Sequence, residues 1–181
     1  MGHLRPVKDP FRTANAVRLL PASSRIKVLH AGGALSPDME LEALAETKSN
    51  PRYSWLGELP RWKTLRLLAS SRLLVLTSHM EGGANVVSEA LACSIPVISS
   101  RISGSIGLLG EGYPGYFPVG DTQALADLLH RVETDQSFYL SLKAWCHRRK
   151  EIVSPDREKQ SWKCLLQKVS AHAAQLNKET V

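Results

Sequence analysis

Two glutamates begin and end the segment 81–89, and two glycines follow the first of them. An apolar run, Leu73–Thr77, precedes this segment and predicts a buried strand, and the residues Val86–Ala92 predict a helix. Open parallel α/β sheets bind ligands at the carboxyl ends of their strands. We therefore expect Glu81 and Glu89 to face one crevice there, where a carboxylate suits the paired hydroxyls of a sugar or a ribose.

The start of this predicted helix supplies groups that attract an anion. Glycines at the turn let the backbone approach a ligand closely. The unpaired N–H groups and the dipole of a helix N-terminus favour negative charge. The candidate binding residues of the turn are Gly82, Gly83, Ala84, Asn85 and Val86. The alternative interpretation is a plain turn with both carboxylates in solvent.

A second candidate site is the basic cluster of His3, Arg5 and Lys8. Cations at the end of a strand suit a diphosphate leaving group, because they stabilise the charge that develops on it. The alternative is a basic loop on a basic protein. Residues 2–7 are also typical of the end of a strand, which predicts that the chain is a fragment or one half of a two-domain protein.

Short apolar runs alternate with longer mixed segments along the first 135 residues. Strands are predicted at Ile26–His30, Tyr53–Leu56, Leu73–Thr77, Val97–Ser99 and Tyr116–Val119. Helices are predicted at Phe11–Leu20, Met39–Thr47, Trp62–Ser70, Val86–Ala92 and Thr122–Glu133. The alternation predicts an α/β fold with a doubly wound parallel sheet. We expect a Rossmann-like domain over residues 1–135 and a helical C-terminal extension, residues 136–181, packed on it.

Composition and charge narrow the possible partners. The 181 residues carry a net charge of +6, which favours an anionic partner such as a nucleotide. The basic run 147–150 is better explained as a helix C-terminus than as a nucleic-acid site. Three cysteines without C-x-x-C spacing fit the reducing cytosol, so we expect a cytoplasmic protein. We expect no transmembrane segment, because no apolar run approaches the roughly 20 residues of a membrane span.

The segment from Glu81 to Glu89, with the strand before it and ALACSIPVI after it, resembles the signature of glycosyltransferase family 4. The resemblance covers about residues 2–135 and implies a retaining enzyme of GT-B fold. Within that family, the segments HLRPVKDPFR, RYSWLGELPR and MEGGANVVSEAL are similar to the selenosugar synthases of selenoneine biosynthesis.

The resemblance implies a UDP-sugar donor site on this domain, with no cofactor and no metal. By position, Lys8 would contact the diphosphate, Glu81 the hydroxyls of the donor sugar, and Glu89 the hydroxyls of the ribose. The family usually has an arginine where His3 stands, and Arg5 is the candidate to replace it. The implied catalytic residues are Glu81, Lys8 and Arg5.

The remaining implied contacts are with the uracil and the sugar. The uracil would rest on Leu56, Gly57 and Glu58, and backbone N–H groups near Gly83, Ala84 and Asn85 would meet the sugar or the diphosphate. The sequence departs from the family at Gly83-Ala84, where Phe-Gly is common, and at Ser94, where glycine is common.

The family binds its acceptor mainly with an N-terminal domain, so the resemblance implies such a domain as a partner and an inactive chain without it. Self-association through an exposed interdomain face is a further expectation. For a selenosugar synthase, the donor would be UDP-N-acetylglucosamine and the acceptor selenophosphate. The alternatives are an epimerase or hydrolase of a nucleotide sugar with the GT-B fold, or a non-catalytic basic α/β module.

Overall fold

The computed structural model describes the backbone of residues 1–179 and the side chains of residues 1–170. The strands are β1 (Val28–His30), β2 (Tyr53–Trp55), β3 (Leu74–Leu76), β4 (Val97–Ser100) and β5 (Tyr116–Phe117). The helices are α1 (Arg12–Arg18), α2 (Pro37–Ser49), α3 (Arg61–Ser70), α4 (Asn85–Ala92), α5 (Ser103–Leu109), α6 (Thr122–Thr134), α7 (Gln136–Arg149) and α8 (Pro155–Glu179). Two short 3-10 helices span Pro6–Lys8 and Lys150–Val153. The predicted α/β class is confirmed.

The strands pair in parallel but form two sheets. In the first, β1 pairs with β2, with Val28 opposite Tyr53. In the second, β4 lies between β3 and β5, with Leu74 opposite Val97. The single sheet expected from the sequence is divided because, within residues 1–179, no strand pairs with both β1 and β3.

Polar side chains fix the starts of several helices. The Ser36 hydroxyl accepts the Met39 N–H at the start of α2. The Asp121 carboxylate accepts the Ala124 N–H at the start of α6, at 2.9 Å. Each cap satisfies a backbone donor that has no partner within its own helix. These caps hold the predicted helices of the α/β layers at the positions that the sequence pattern indicates.

The main hydrophobic core surrounds the three-stranded sheet. All four residues of β4 are buried, and α4 and α6 cover the sheet with Leu91 and Leu125, both at 0% exposure. Helix α7 adds Phe138 and Leu142 to this core. By contrast, every side chain of residues 155–170 in α8 is exposed. The division of the chain at residue 135 stays a prediction.

Two segments differ from the sequence expectation. Residues 2–7 contain one parallel bridge, between Leu4 and Ala34, and then turn into the Pro6–Lys8 helix. Helix α5 was not expected, because Ser103, Gly104 and Ser105 give it a weak helical pattern. Among the described residues, none of the helices is long and apolar enough to cross a membrane.

Candidate functional site

The loop that carries Lys8 joins the carboxyl ends of two strands. At its start, the Leu4 N–H donates to the Gly33 carbonyl at 2.9 Å, just beyond β1. At its end, the Thr77 hydroxyl lies 2.9 Å from the carbonyl oxygens of both Lys8 and Asp9. Because Thr77 directly follows β3, the loop is held at the sheet edge where open α/β folds bind ligands.

Lys8 and Glu81 form an ion pair at this edge. Nζ of Lys8 lies 2.7 Å from Oε1 of Glu81, and the two side chains are 30% and 15% exposed. The Ser78 hydroxyl donates to the same carboxylate oxygen at 2.8 Å. The structure therefore brings together two of the three predicted catalytic residues. The third, Arg5, lies in the same loop with an exposed side chain.

The turn after Glu81 leads into α4. No side chain caps this helix at Ala84. The Asn85 N–H donates to the Gly83 carbonyl at 2.9 Å, so the turn itself uses one of the expected anion donors. The side chain of Val86 is partly buried against the core. A cavity of about 370 Å³ is lined by residues 81–85, by Ser88 and by residues from both ends of α5.

A close backbone contact holds α5 against this turn. A Cβ atom at Gly104 would collide with the carbonyl oxygen of Glu81. Only glycine fits there without a shift of the backbone, so the start of α5 fixes the position of Glu81. The sequence pattern did not identify Gly104 as part of the site.

Glu89 lies inside α4 and pairs with a residue from another helix. Nη1 of Arg61, at the start of α3, lies 3.1 Å from Oε1 of Glu89. The Arg61 side chain is 78% exposed and the Glu89 side chain 23% exposed. The Glu89 carboxylate is therefore partly shielded from solvent, whereas the Arg61 guanidinium can turn away into solvent.

The loop after β2 approaches the Lys8 loop from the other side. The Gly32 N–H donates to the Gly57 carbonyl at 2.8 Å, and Gly57 has φ of +67°, a conformation that favours glycine. A Cβ atom at Gly33 would lie 3.3 Å from both Oε2 of Glu58 and Nδ1 of His3. The predicted residues Glu58 and His3 therefore both lie beside Gly33.

His3 and Leu56, two of the predicted binding residues near this loop, differ in their exposure. Nδ1 of His3 is buried and has no hydrogen-bond partner among the described residues. Leu56 is 38% exposed, which leaves apolar surface open to a flat ring.

Sequence reasoning missed the residues that orient the predicted ones. These are Arg61, Thr77, Ser78 and Gly104. Thr77 is the last residue of the predicted strand Leu73–Thr77 and Ser78 follows it directly, so polar residues at that strand end were an available signal. Arg61 and Gly104 carry no such signal, because their contacts depend on how separate helices pack.

The arrangement suits a ligand that has both anionic and hydroxyl groups. Lys8 and the start of α4 supply positive charge, and the carboxylates of Glu81 and Glu89 accept hydrogen bonds. Among the residues with described side chains, no group of three or more His, Cys, Asp or Glu could hold a metal ion.

A family model described as "Glycosyl transferases group 1" matches residues 1–147. The chain belongs to this glycosyltransferase family. The expected glycosyltransferase class is confirmed by this match.

Curated relatives of this group 1 glycosyltransferase share about a quarter to a third of the aligned residues. TuaC of Bacillus subtilis, named for teichuronic acid biosynthesis, is 29% identical over 75% of this chain. The N-acetyl-alpha-D-glucosaminyl L-malate synthase of Bacillus anthracis is 35% identical over 42% of this chain. The D-inositol 3-phosphate glycosyltransferase of Mycolicibacterium vanbaalenii is 26% identical over 71%. The chain spans 32% of TuaC, 20% of the malate synthase and 32% of the inositol phosphate enzyme.

Solved structures share the fold of this group 1 glycosyltransferase. Anabaena HepE in complex with UDP superposes with a TM-score of 0.75 at 23% identity, over 92% of this chain and 48% of HepE. The sucrose-phosphate synthase of Thermosynechococcus elongatus gives a TM-score of 0.75 at 19% identity, over 94% of this chain and 45% of that protein. At these identities the likeness shows the fold alone, and it confirms the predicted Rossmann-like half of a GT-B fold.

Proposed function

We propose that this chain is the donor-binding domain of a retaining glycosyltransferase and that its donor is a UDP-sugar. The observation that carries the proposal is the Lys8–Glu81 pair beside the uncapped start of α4. One cation, one hydrogen-bond acceptor and a helix N-terminus lie together at the carboxyl end of a parallel sheet. Anabaena HepE has the same fold and was solved in complex with UDP. This complex supports UDP as the nucleotide of the donor.

The diphosphate would lie between Lys8 and the first turn of α4. When the sugar leaves, negative charge grows on the β-phosphate, and fixed cations and N–H groups lower the energy of that state. Arg5 lies in the same loop with an exposed side chain, and in this proposal its guanidinium contacts the same phosphate. In this proposal the chain's own positive groups, with no metal ion and no cofactor, neutralise the diphosphate.

The sugar and the nucleoside would bind on opposite sides of the diphosphate. Glu81 accepts hydrogen bonds from the sugar hydroxyls once the ligand displaces part of its contact with Lys8. The Glu89 carboxylate accepts hydrogen bonds from the ribose hydroxyls, which take the place of its contact with Arg61. The uracil rests on Leu56, Gly57 and Glu58, with the apolar surface of Leu56 against the ring.

The transfer breaks the bond between the anomeric carbon and the diphosphate oxygen. The electron pair of that bond goes to UDP, and a nucleophilic atom of the acceptor forms the new bond to the anomeric carbon on the same face. The acceptor and the general base, where one is needed, would come from an N-terminal domain. The chain by itself would therefore bind the donor without transferring the sugar.

The proposed donor sugar is N-acetylglucosamine, and the proposed acceptor is selenophosphate. Similarity to an N-acetyl-alpha-D-glucosaminyl L-malate synthase supports the sugar. The segments HLRPVKDPFR and MEGGANVVSEAL, which resemble selenosugar synthases, support the acceptor. Mass spectrometry on the full two-domain protein tests both: a selenium-containing N-acetylglucosamine product is expected, and transfer only to a different acceptor would refute this assignment.

Calorimetric titration with UDP and uridine tests the donor site. We expect selective binding of UDP over GDP. Lys8→Met should weaken UDP binding about tenfold or more and leave uridine unchanged, because the variant removes the charge but keeps the aliphatic stem. Glu89→Ala should weaken both ligands by a similar factor, because both contain the ribose.

The matched controls are Lys48→Met and Glu42→Ala, which change exposed residues of α2. Both should bind UDP as the parent does. If the Lys8 and Glu89 variants also bind like the parent, the site is misplaced. Binding to random DNA that weakens steeply with salt, with no preference for UDP, would instead favour the basic α/β module.

A further inference from the structure

Four buried serines lie behind Glu81 and form a serine network. Ser78 lies two residues after β3, Ser99 and Ser100 are the last two residues of β4, and Ser105 lies in α5. Among the residues with described side chains, these are the most deeply buried polar groups, each at 1% exposure or less. A buried hydroxyl costs free energy unless it has a hydrogen-bond partner, so the partners show what the serines hold.

The hydrogen bonds of the serine network lead from α5 to the Glu81 carboxylate. The Ser99 hydroxyl lies 2.7 Å from the Ser105 hydroxyl and 2.9 Å from the Ser100 carbonyl oxygen. The Ser100 hydroxyl donates to the Ser78 carbonyl at 2.6 Å. The Ser78 hydroxyl in turn donates to Oε1 of Glu81 at 2.8 Å. Each hydroxyl along this path is therefore paired, and the path ends on the predicted catalytic carboxylate.

Helix α5 holds the main chain of the same glutamate. Gly104, next to Ser105, lies so close to the Glu81 carbonyl oxygen that a Cβ atom would not fit between them. The backbone of Glu81 and its carboxylate are thus both connected to the end of β4 and the start of α5. A change of the carboxylate's orientation would have to break a buried hydrogen bond.

The contacts of the carboxylate are unequal for its two oxygen atoms. Nζ of Lys8 and the Ser78 hydroxyl both bind Oε1. Within the described part of the chain, Oε2 accepts no hydrogen bond. An ionised carboxylate has acceptor positions on both oxygens, so Oε2 is available to a ligand.

We propose that Ser78 and Ser100 are positioning residues for Glu81. Ser78 holds Oε1, Ser100 holds Ser78, and Oε2 is thereby presented to a hydroxyl of the donor sugar. The inference rests on the proposed donor site, in which Lys8 also binds the diphosphate. When Lys8 turns toward the phosphate, the Ser78 hydroxyl keeps Oε1 in place, because Ser78 is itself fixed by β4.

This arrangement restricts the class of donor sugar. A carboxylate accepts hydrogen bonds and does not donate them, so the group that meets Oε2 must be a free hydroxyl. A deoxy or O-methylated sugar at that position would leave Oε2 without a donor and should bind more weakly. Ser100 touches neither Glu81 nor the sugar in this proposal, and its effect passes through Ser78.

Calorimetric titration with UDP and with UDP-N-acetylglucosamine tests the positioning role. Ser78→Ala should weaken binding of UDP-N-acetylglucosamine about fivefold to tenfold, the equivalent of one hydrogen bond, and change UDP binding less than about twofold. Ser100→Ala should act in the same direction by about threefold, because it loosens Ser78 without removing its hydroxyl. The ratio of the two affinities is the decisive quantity, since a general loss of folded protein lowers both.

The matched control is Ser71→Ala. Ser71 is a half-buried serine directly after α3, and its hydroxyl donates to the Leu67 carbonyl at 2.7 Å, outside the serine network. This variant should keep the affinity ratio of the parent. In a Glu81→Ala background, Ser78→Ala should not change the ratio further, because the effect of Ser78 passes through Glu81.

The outcomes separate this inference from the proposed function. A parent chain that binds no UDP would refute the donor site, whereas UDP binding with an unchanged affinity ratio in Ser78→Ala would overturn the positioning role alone. Equal losses for both ligands would show that the serines support only the fold. Melting temperatures give a test without ligand: the loss caused by Ser78→Ala should be at least halved in the Glu81→Ala background, and equal losses in both backgrounds would overturn the proposal.

Discussion

The two sheets differ in how completely the rest of the chain covers them. In the three-stranded sheet, β4 has a neighbour on each side and all four of its residues are buried. In the two-stranded sheet, β1 has one neighbour, and Leu29 at its centre is 47% exposed. Both strands are parallel and combine apolar with polar residues, so the difference comes from what pairs with them and not from residue type.

The candidate site draws on both regions. Glu81 and Glu89 follow β3 and are anchored by the well-buried sheet. The loop 56–58 belongs to the less covered sheet, and Lys8 lies on the loop that joins the two. The geometry of the site therefore depends on how firmly the two-stranded sheet is held against the rest.

The largest expected effect is a difference in how much the loss of a leucine side chain destabilises each of the two regions. Leu91→Ala removes a fully buried side chain beside the three-stranded sheet, and should lower the free energy of unfolding by about 2–5 kcal/mol. Leu29→Ala, in β1, should cost about 1 kcal/mol or less, because the side chain is half exposed. Urea denaturation measures both, and equal losses would show that β1 is as well covered as α4.

The next effect is a pH dependence that arises in the two-stranded sheet. Burial lowers the pKa of His30 to about 4 from its ordinary 6.5. Nε2 of His30 lies 3.1 Å from the Gly2 carbonyl, and the Tyr53 hydroxyl lies 3.3 Å from Nδ1, so the neutral ring with its proton on Nε2 satisfies both contacts. As pH falls from 6.5 to 4, the unfolded chain takes up the proton first, and stability should fall by up to about 3 kcal/mol.

Urea denaturation at several pH values, compared between variants, isolates this effect. His30→Gln should remove most of the change in the free energy of unfolding between pH 6.5 and 4. His147→Gln, at an exposed position of α7, should keep the slope of the parent. A His30→Gln variant with the parent's slope would assign the pH dependence to other groups.

A smaller effect is a gain in stability from a substitution beside the three-stranded sheet. Ser94 lies two residues beyond the end of α4 with φ of +57°, and its N–H donates to the Leu91 carbonyl at 3.0 Å. Ser94→Gly should stabilise the protein by about 1 kcal/mol, because glycine adopts this conformation without strain. Ser88→Gly, inside α4, should instead lose about 1 kcal/mol. A loss of thermal stability in both variants would contradict this explanation of residue 94.

The smallest effect concerns the contact between α3 and α4. Arg61→Ala frees Glu89 from an exposed ion pair, and should raise uridine affinity about two- to threefold, since such pairs contribute little energy. Arg66→Ala, exposed on the same helix, is the control and should have no effect. Calorimetric titration with uridine measures both affinities. Weaker uridine binding by Arg61→Ala would contradict the expectation and show that Arg61 itself contacts the ligand.

Local patterns predicted most helices and strands. The apolar runs at 26–30 and 73–77 contain β1 and β3, and the segment 86–92 lies within α4. Helix α5 was missed because serines and glycines of its first turn also favour loops. Helix α8 lies within the predicted helical extension, and the exposure of its side chains between residues 155 and 170 does not follow from its sequence, since exposure depends on what packs against it.

The candidate site was predictable only in part. The residue types and the family resemblance identified Glu81, Glu89 and Lys8, but Lys8 and Glu81 are 73 positions apart in the chain. No local pattern shows that they touch, or that Arg61 reaches Glu89. Those contacts arise because three strand ends meet at one edge.

The sequence by itself determined the α/β class, the basic charge and the glutamate pair at positions 81 and 89, because each follows from composition or from spacing along the chain. Only the tertiary structure decided that the strands form two sheets and that Lys8 pairs with Glu81. The physical reason is that these features depend on backbone pairing and side-chain packing between distant segments. The spacing of residues along the chain does not specify which distant segments pair or pack against one another.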